Sequence, residues 1–141
     1  MNAIPILAHP DQSLVKHLLG VARRAKESAA RFQGEKHAEL AGLLHDLGKA
    51  EKEFQGRIAG KKAEKRPHAH HGAALALERQ LWPVAFAING HHAGLHDRSD
   101  LQQLPSKWTP RARGCEETVK GDGGWDGQDW LIRDFGTTLP A

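Results

Sequence analysis

A histidine and an aspartate stand side by side in the segment LAGLLHDLGK, residues 40–49, and are well suited to metal chemistry. His45 offers an imidazole nitrogen. Asp46 offers two carboxylate oxygens that can bridge two cations, the arrangement used in two-metal hydrolysis of phosphate esters. Neighbouring side chains of a helix point about 100° apart, but near a helix end both can converge on a metal above that end. A buried His–Asp pair without a metal is the alternative.

Other histidines could complete such a site, since the chain has ten of them and no tyrosine. His17 is in line with the apolar residues of a predicted helix, where a lone histidine is usually a core residue. His91 and His92 form a pair between small residues, which suits a ligand pocket or a plain surface. The segment HAHH, residues 68–71, leaves open which imidazole matters. Imidazoles at the ends of four helical segments could together surround a common centre.

Apolar residues at helical spacing predict the elements that would position these groups. Asp11 or Ser13 could cap the first helix, Gly34 follows it, and Gly48 is expected just after the second. No strand-like alternation is found, so the first hundred residues are predicted to be all-α. The predicted helices cover about 12–32, 35–47, 50–59, 70–81 and 83–92.

The segment Pro105–Ala141 has a different character, with several glycines and prolines, three of the four tryptophans and little periodicity. We expect an irregular C-terminal extension at 105–141 that follows a helical domain at 1–104. Cys115 is predicted to be a free thiol in a loop. As the only cysteine, it excludes an internal disulfide and a thiolate-built zinc site.

Bulk composition sets further limits. The 141 residues, 39% of them hydrophobic, suffice for one core. The net charge of +3 is compatible with a polyanionic partner. The basic run Lys61, Lys62, Lys65 and Arg66 is either a phosphate-binding track or a solvated loop. The sequence has no apolar run of membrane-spanning length and no signal-peptide pattern, so we expect a cytoplasmic protein without a membrane partner.

The order and flanking residues of these histidines resemble the HD superfamily of phosphohydrolases. They resemble more closely the HD nuclease domain of type I CRISPR interference, which occurs fused to a helicase or as a separate chain. The similarity covers roughly residues 5–100. The stretches that carry it are ILAHP (6–10), LVKHLLGVA (14–22), LAGLLHDLGK (40–49), EFQ (53–55), HAHHGAA (68–74) and INGHHAGL (88–95).

The resemblance implies an HD-domain helical bundle that holds two divalent cations: manganese, iron, nickel or cobalt, with magnesium as a further option. It implies that Asp46 is a shared ligand and that Lys49 contacts a phosphate or stabilises transition-state charge. The family places a ligand histidine four residues before a Gly-Ala pair, which selects His68. The implied ligands are His17, His45 and Asp46 for one cation, and Asp46, His68, His91 and His92 for the other.

The remaining histidines are expected to lie outside the metal site. His9, within the family's Ala-His motif, is expected to be structural or peripheral. His37 and His96 are expected to face solvent.

The implied function is a nuclease that hydrolyses single-stranded DNA in CRISPR interference, with a separate helicase chain and an effector complex as partners. One departure stands against it: the family's nucleases carry a further ligand aspartate on a C-terminal helix, and 105–141 has no such motif. A truncated chain, a reduced form with one weakened metal site, or substitution by another aspartate or a water would each account for this. Three alternatives remain: a phosphohydrolase acting on nucleotides, a catalytically weak scaffold that binds nucleic acid or an effector partner, and more distantly a di-iron oxygenase.

Overall fold

The computed structural model describes residues 6–60, 68–93 and 97–125, and of residues 91–93 it describes the backbone alone. Within these ranges the chain is mainly helical, which confirms the all-α prediction. Two very short strands precede the first helix. The elements are β1 Leu7–His9, β2 Gln12–Ser13, α1 Leu14–Ala29, α2 Glu35–Leu44, α3 Lys52–Ile58, α4 His70–Glu78, α5 Trp82–Ala93, α6 Arg98–Gln102 and α7 Leu104–Gly121, with 3-10 turns at Ala30–Phe32 and Leu47–Ala50.

Helices α1 and α2 form a close antiparallel pair that carries most of the site residues. Ser13 caps α1, because its hydroxyl accepts a hydrogen bond from the Lys16 backbone N–H at 3.0 Å. This decides between the two predicted cap residues. A Cβ added to Gly42 would lie 2.5 Å from the Cα atom of Ala22, so the two backbones approach to a distance that only glycine allows.

The hairpin β1–β2 was not predicted from the sequence, because each strand is too short to show alternation. The strands are antiparallel, with Leu7 opposite Ser13. The side chain of Gln55 fastens the hairpin to the body, since it accepts from the Leu7 N–H at 2.9 Å and donates to the Leu7 carbonyl at 2.8 Å. The Gln55 amide also donates to the Lys49 carbonyl at 2.7 Å, which ties the hairpin to the segment that follows Asp46.

Helix α2 ends earlier than the sequence predicts. Its last helical residue is Leu44, and Gly48 lies inside the 3-10 turn Leu47–Ala50, not just after a helix. Two backbone carbonyls at the end of α2 are hydrogen-bonded to side chains, because the last carbonyls of a helix have no partner within the helix. The Nδ1 atom of His45 is 2.7 Å from the Gly42 carbonyl oxygen, and the indole N–H of Trp125 donates to the Leu43 carbonyl at 3.1 Å.

The prediction of an irregular segment from Pro105 onward was wrong for residues 105–121, which belong to α7. Cys115 is accordingly a buried residue of this helix and not a loop thiol, and burial raises its pKa to about 12. Pro110 and the glycines of the segment concealed a helical repeat of buried side chains. This inward face of α7 is formed by Leu104, Trp108, Ala112, Cys115, Glu116 and Val119. Residues 126–141 lie outside the described ranges.

One hydrophobic cluster joins the helices. Helix α4 packs against α5 and α7, and α7 also packs against the 3-10 turn Leu47–Ala50. Leu44, Ala73, Ile88 and Leu101 are among its most deeply buried members. In the described parts of the chain, no helix combines the length and apolar character needed to cross a membrane.

Candidate metal centre

His45 and Asp46 converge as expected for residues beyond a helix end. Because the carbonyl oxygen of Gly42 only accepts, Nδ1 of His45 carries the proton there, and the Nε2 lone pair faces away. That Nε2 atom lies 3.2 Å from Oδ2 of Asp46. The backbone contact thus fixes the imidazole orientation, as outer partners of metal-binding histidines generally do.

Helix α1 brings a third donor to the same oxygen. Nε2 of His17 lies 2.8 Å from Oδ2 of Asp46, and the rings of His17 and His45 have centroids 5.0 Å apart. One donor atom from each of these three residues lies within 4.8 Å of the other two. Two atoms that bind one ion at about 2.1 Å are about 3.0–3.4 Å apart. The two distances to Asp46 are close to this spacing, so these three donors form a group that could hold a divalent cation.

The other carboxylate oxygen of Asp46 faces a fourth residue. Nε2 of His68 lies 3.5 Å from Oδ1, and the His68 ring contacts the edge of Phe54 at a centroid distance of 5.4 Å. Asp46 is therefore approached from two sides, by His17 and His45 at one oxygen and by His68 at the other. This is the arrangement that a carboxylate bridging two cations would have.

Lys49 lies beside the same carboxylate. Its Nζ atom is 3.2 Å from Oδ2 of Asp46 and 5.4 Å from the centre of the Phe54 ring. Both residues are buried, with Asp46 only 4% exposed and Lys49 only 7% exposed. A buried carboxylate without a nearby positive group is costly. The Lys49 ammonium supplies that compensation.

The structure separates the histidines of the segment 68–71. His68 lies beside Asp46, whereas Nδ1 of His70 is 2.6 Å from Oδ1 of Asn89 and His71 is bonded to Glu51. Only His68 therefore has the placement that the resemblance implies, and its ligand role stays a prediction.

The remaining histidines fall into three groups. His91 and His92 are in the last turn of α5, and their side chains, like all of His96, lie outside the described residues. His9 is exposed at the hairpin, with its ring 5.7 Å from that of His17, at the periphery of the centre. His37 is exposed, as predicted. The run Lys61, Lys62, Lys65 and Arg66 also lies outside the described residues.

A partly buried chain of hydrogen-bonded polar residues behind the centre was not predicted from the sequence. Nε2 of His71 donates to Oε1 of Glu51, and Nη2 of Arg111 donates to Oε2 of Glu51 at 2.6 Å. Burial lowers the pKa of His71, with Glu51 opposing, so the imidazole is biased toward neutrality. Burial raises the pKa of Glu51, but Arg111 and His71 outweigh this and leave it lowered. No sequence signal linked these groups, because Arg111 stands in the segment expected to be irregular.

No acidic residue of α7 joins the cluster of His17, His45 and Asp46 among the residues that the structure describes. Glu116 is buried on the inward face of α7, and Asp122, just after that helix, accepts a hydrogen bond from the Ile6 backbone N–H at 3.4 Å. The departure noted in the sequence therefore persists within the described part of the chain.

Comparison with known proteins agrees with this geometry. The chain matches the family described as HD domain over residues 14–118, from the start of α1 almost to the end of α7. No curated protein matches the chain. The match includes His17, the His45–Asp46 pair and His68, and it covers well over half of the sequence. The chain therefore belongs to the HD-domain family of metal-dependent phosphohydrolases.

Proposed function

We propose that this protein is a nuclease that hydrolyses phosphodiester bonds of single-stranded DNA in CRISPR interference, with two divalent cations bound at Asp46. The observation that carries the proposal is the two-sided environment of the Asp46 carboxylate. Oδ2 faces His17 and His45, and Oδ1 faces His68. His91 and His92 are proposed to complete the His68 side.

Cations held there would supply a water of lowered pKa and would polarise the scissile phosphate. The residues of the chain have complementary tasks. Asp46 lies between α1, the end of α2 and the segment that carries His68, and its carboxylate would join the ligands that these three provide. The Lys49 ammonium lies beside Asp46 and over the Phe54 ring, where it would balance negative charge that develops on the phosphate.

The choice of DNA and of CRISPR interference rests on the sequence resemblance, which extends beyond the HD pair to the EFQ and GHHAGL stretches. A net charge of +3 is compatible with a polyanionic substrate. A single strand would be held by its phosphates, so binding should weaken as salt rises. A separate helicase chain and a CRISPR effector complex are the proposed partners.

The test is hydrolysis of single-stranded DNA by the full chain loaded with Mn²⁺ or Ni²⁺. Wild-type protein should cleave, and Asp46→Ala should abolish cleavage because both sides of the centre share this carboxylate. Asp100→Ala is the matched control, since Asp100 is an exposed aspartate on α6. Equal cleavage by Asp46→Ala would refute the site assignment. Hydrolysis of dNTPs with no action on DNA would instead establish a nucleotide phosphohydrolase.

The second candidate is a catalytically weak scaffold that binds nucleic acid or an effector partner. It is favoured by one observation, that α7 contributes no acidic ligand to the described cluster. Elemental analysis after loading with Mn²⁺ separates the two candidates. Less than one ion per chain, together with retained binding of single-stranded DNA, would support the scaffold.

A further inference from the structure

We propose that Arg111 of α7 is a positioning residue of the metal centre, which acts through Glu51 and His71 to set the separation between Asp46 and His68. Arg111 touches neither of these site residues. It lies 60 positions from Glu51 in the sequence, and the 2.6 Å hydrogen bond between them joins α7 to the segment that follows Lys49. The inference rests on the proposed two-cation centre.

Of the three linked residues Arg111, Glu51 and His71, it is His71 that contacts the backbone next to the metal centre. Its side chain is fully buried, and its ring lies against the backbone of Gly48, two residues after Asp46, in a space that a Cβ on Gly48 would fill. That same Cβ would lie 2.6 Å from the carbonyl oxygen of His68. The imidazole therefore occupies the region where the backbone of the metal-binding turn meets the backbone that carries His68.

Glu51 fixes the orientation of this ring. Because its Oε1 accepts from Nε2 of His71, the Nδ1 edge is directed at Gly48, where it has no hydrogen-bond partner among the described residues. A ring released from Glu51 could turn to satisfy Nδ1. Such a turn would move the His68 backbone relative to Asp46, and their side chains are already at the limit of contact, at 3.5 Å.

Arg111 in turn holds Glu51. Its guanidinium lies over the Trp108 ring at 4.7 Å, and the same Trp108 ring contacts His71 at a centroid distance of 5.0 Å. Arg111, Trp108 and His71 therefore form one packed unit with the carboxylate between them. Glu51 is largely buried, so removal of its cationic partner leaves a charge that will seek another arrangement.

Arg113 provides a matched control on the same helix. It is also an arginine bonded to a glutamate, with Nη2 at 2.8 and 2.9 Å from the two carboxylate oxygens of Glu78, but this pair is exposed. The experiment is titration of the metal-free full chain with Mn²⁺, with free ion followed by electron paramagnetic resonance. Unfolding in urea without metal is measured for every variant, so that loss of fold is separated from loss of the site.

Wild-type protein should bind two Mn²⁺. Arg111→Met should bind the second ion roughly 10-fold more weakly, at the lower end of the range for partners bonded directly to a metal ligand, because Arg111 acts through two further residues. Arg111→Lys should recover part of that affinity, because a lysine ammonium can still reach Glu51. Arg113→Met should bind both ions like wild type.

Two outcomes would overturn the inference: unchanged binding of both ions by Arg111→Met, or an equal loss in Arg113→Met, which would trace the effect to the stability of α7 alone. If Arg111→Met does not fold, the inference is tested with Arg111→Lys. Wild-type affinity for the second ion in a fully folded Arg111→Lys would contradict the orienting role of the guanidinium. A wild-type stoichiometry of one would instead contradict the proposed two-cation function, and it is seen before any variant is made.

Discussion

The imidazole of His71 lies so close to the backbone of Gly48 that no side chain fits between them. Gly48 is not among the described residues with positive φ, so it is required for space and not for backbone conformation. The prediction that Gly48 follows the end of a helix was wrong, since it lies inside the 3-10 turn Leu47–Ala50. Its actual role is to let α4 approach the metal-binding turn.

Gly48→Ala should destabilise the fold by about 1–3 kcal/mol, because the added methyl would overlap the His71 ring in a packed interior. It should also weaken metal binding, since Asp46 and Lys49 flank this position. The measurements are urea unfolding followed by circular dichroism, and Mn²⁺ titration. Gly114→Ala in α7 is the control: a Cβ there meets nothing within 4 Å, and alanine should stabilise the helix by about 0.5–1 kcal/mol. Equal stability of the two variants would contradict the packing described.

Gln55→Glu should release the hairpin that precedes α1. The glutamine amide donates to the carbonyls of Leu7 and Lys49, and a carboxylate there could donate to neither. Two unsatisfied carbonyls facing a negative charge should cost about 1–3 kcal/mol. Hydrogen exchange of the Leu7 amide should accelerate in Gln55→Glu and remain slow in Gln102→Glu, a change at an exposed position of α6. Wild-type protection of Leu7 in Gln55→Glu would refute the role of this side chain.

Glu116 should make the protein less stable as pH rises. Burial raises the pKa of Glu116 to about 7, although the positive charges of Arg113 and Lys120 act to lower it. In the unfolded chain this carboxyl has its ordinary pKa of 4.5. Between these values the folded state binds more protons than the unfolded state, so the free energy of unfolding falls with pH over that range. The full effect is at most about 3 kcal/mol, at about 1.4 kcal/mol per pKa unit.

Glu116→Gln should remove this loss, because the amide cannot ionise in the buried site. Relative to wild type, Glu116→Gln should gain stability against urea at pH 8 but not at pH 5, whereas Glu27→Gln, at an exposed position of α1, should follow wild type at both pH values. If the two variants show the same pH dependence, the carboxyl of Glu116 is not the group responsible.

The sequence alone predicted only the local part of the centre, namely that His45 and Asp46, adjacent at a helix end, could converge. Helical spacing favoured a core role for His17, and its place beside Asp46 was implied by the family resemblance. The choice of His68 over its neighbours came from a family spacing. The local sequence pattern could not have distinguished His68 from its neighbours, because His70 and His71 are hydrogen-bonded to partners distant in sequence, Asn89 and Glu51.

Helix α7 was hidden for a physical reason. Its inward face follows a helical repeat, but Pro110 and Gly114 within it are poor helix formers, and the charged residues between the buried positions dilute the pattern. Tertiary packing outweighs the low helix propensity of α7, since its buried face joins the core and Arg111 gains a hydrogen bond to the largely buried Glu51. Local propensity carries no information about such a partner 60 positions away.

The indole of Trp125 caps a carbonyl of α2 from 82 positions further along the chain. During synthesis, the end of α2 that carries His45 and Asp46 must therefore wait for residue 125 to leave the ribosome before it has its native hydrogen bonds. A nascent chain that ends before Trp125 would already contain every predicted metal ligand and still lack this hydrogen bond at the end of α2.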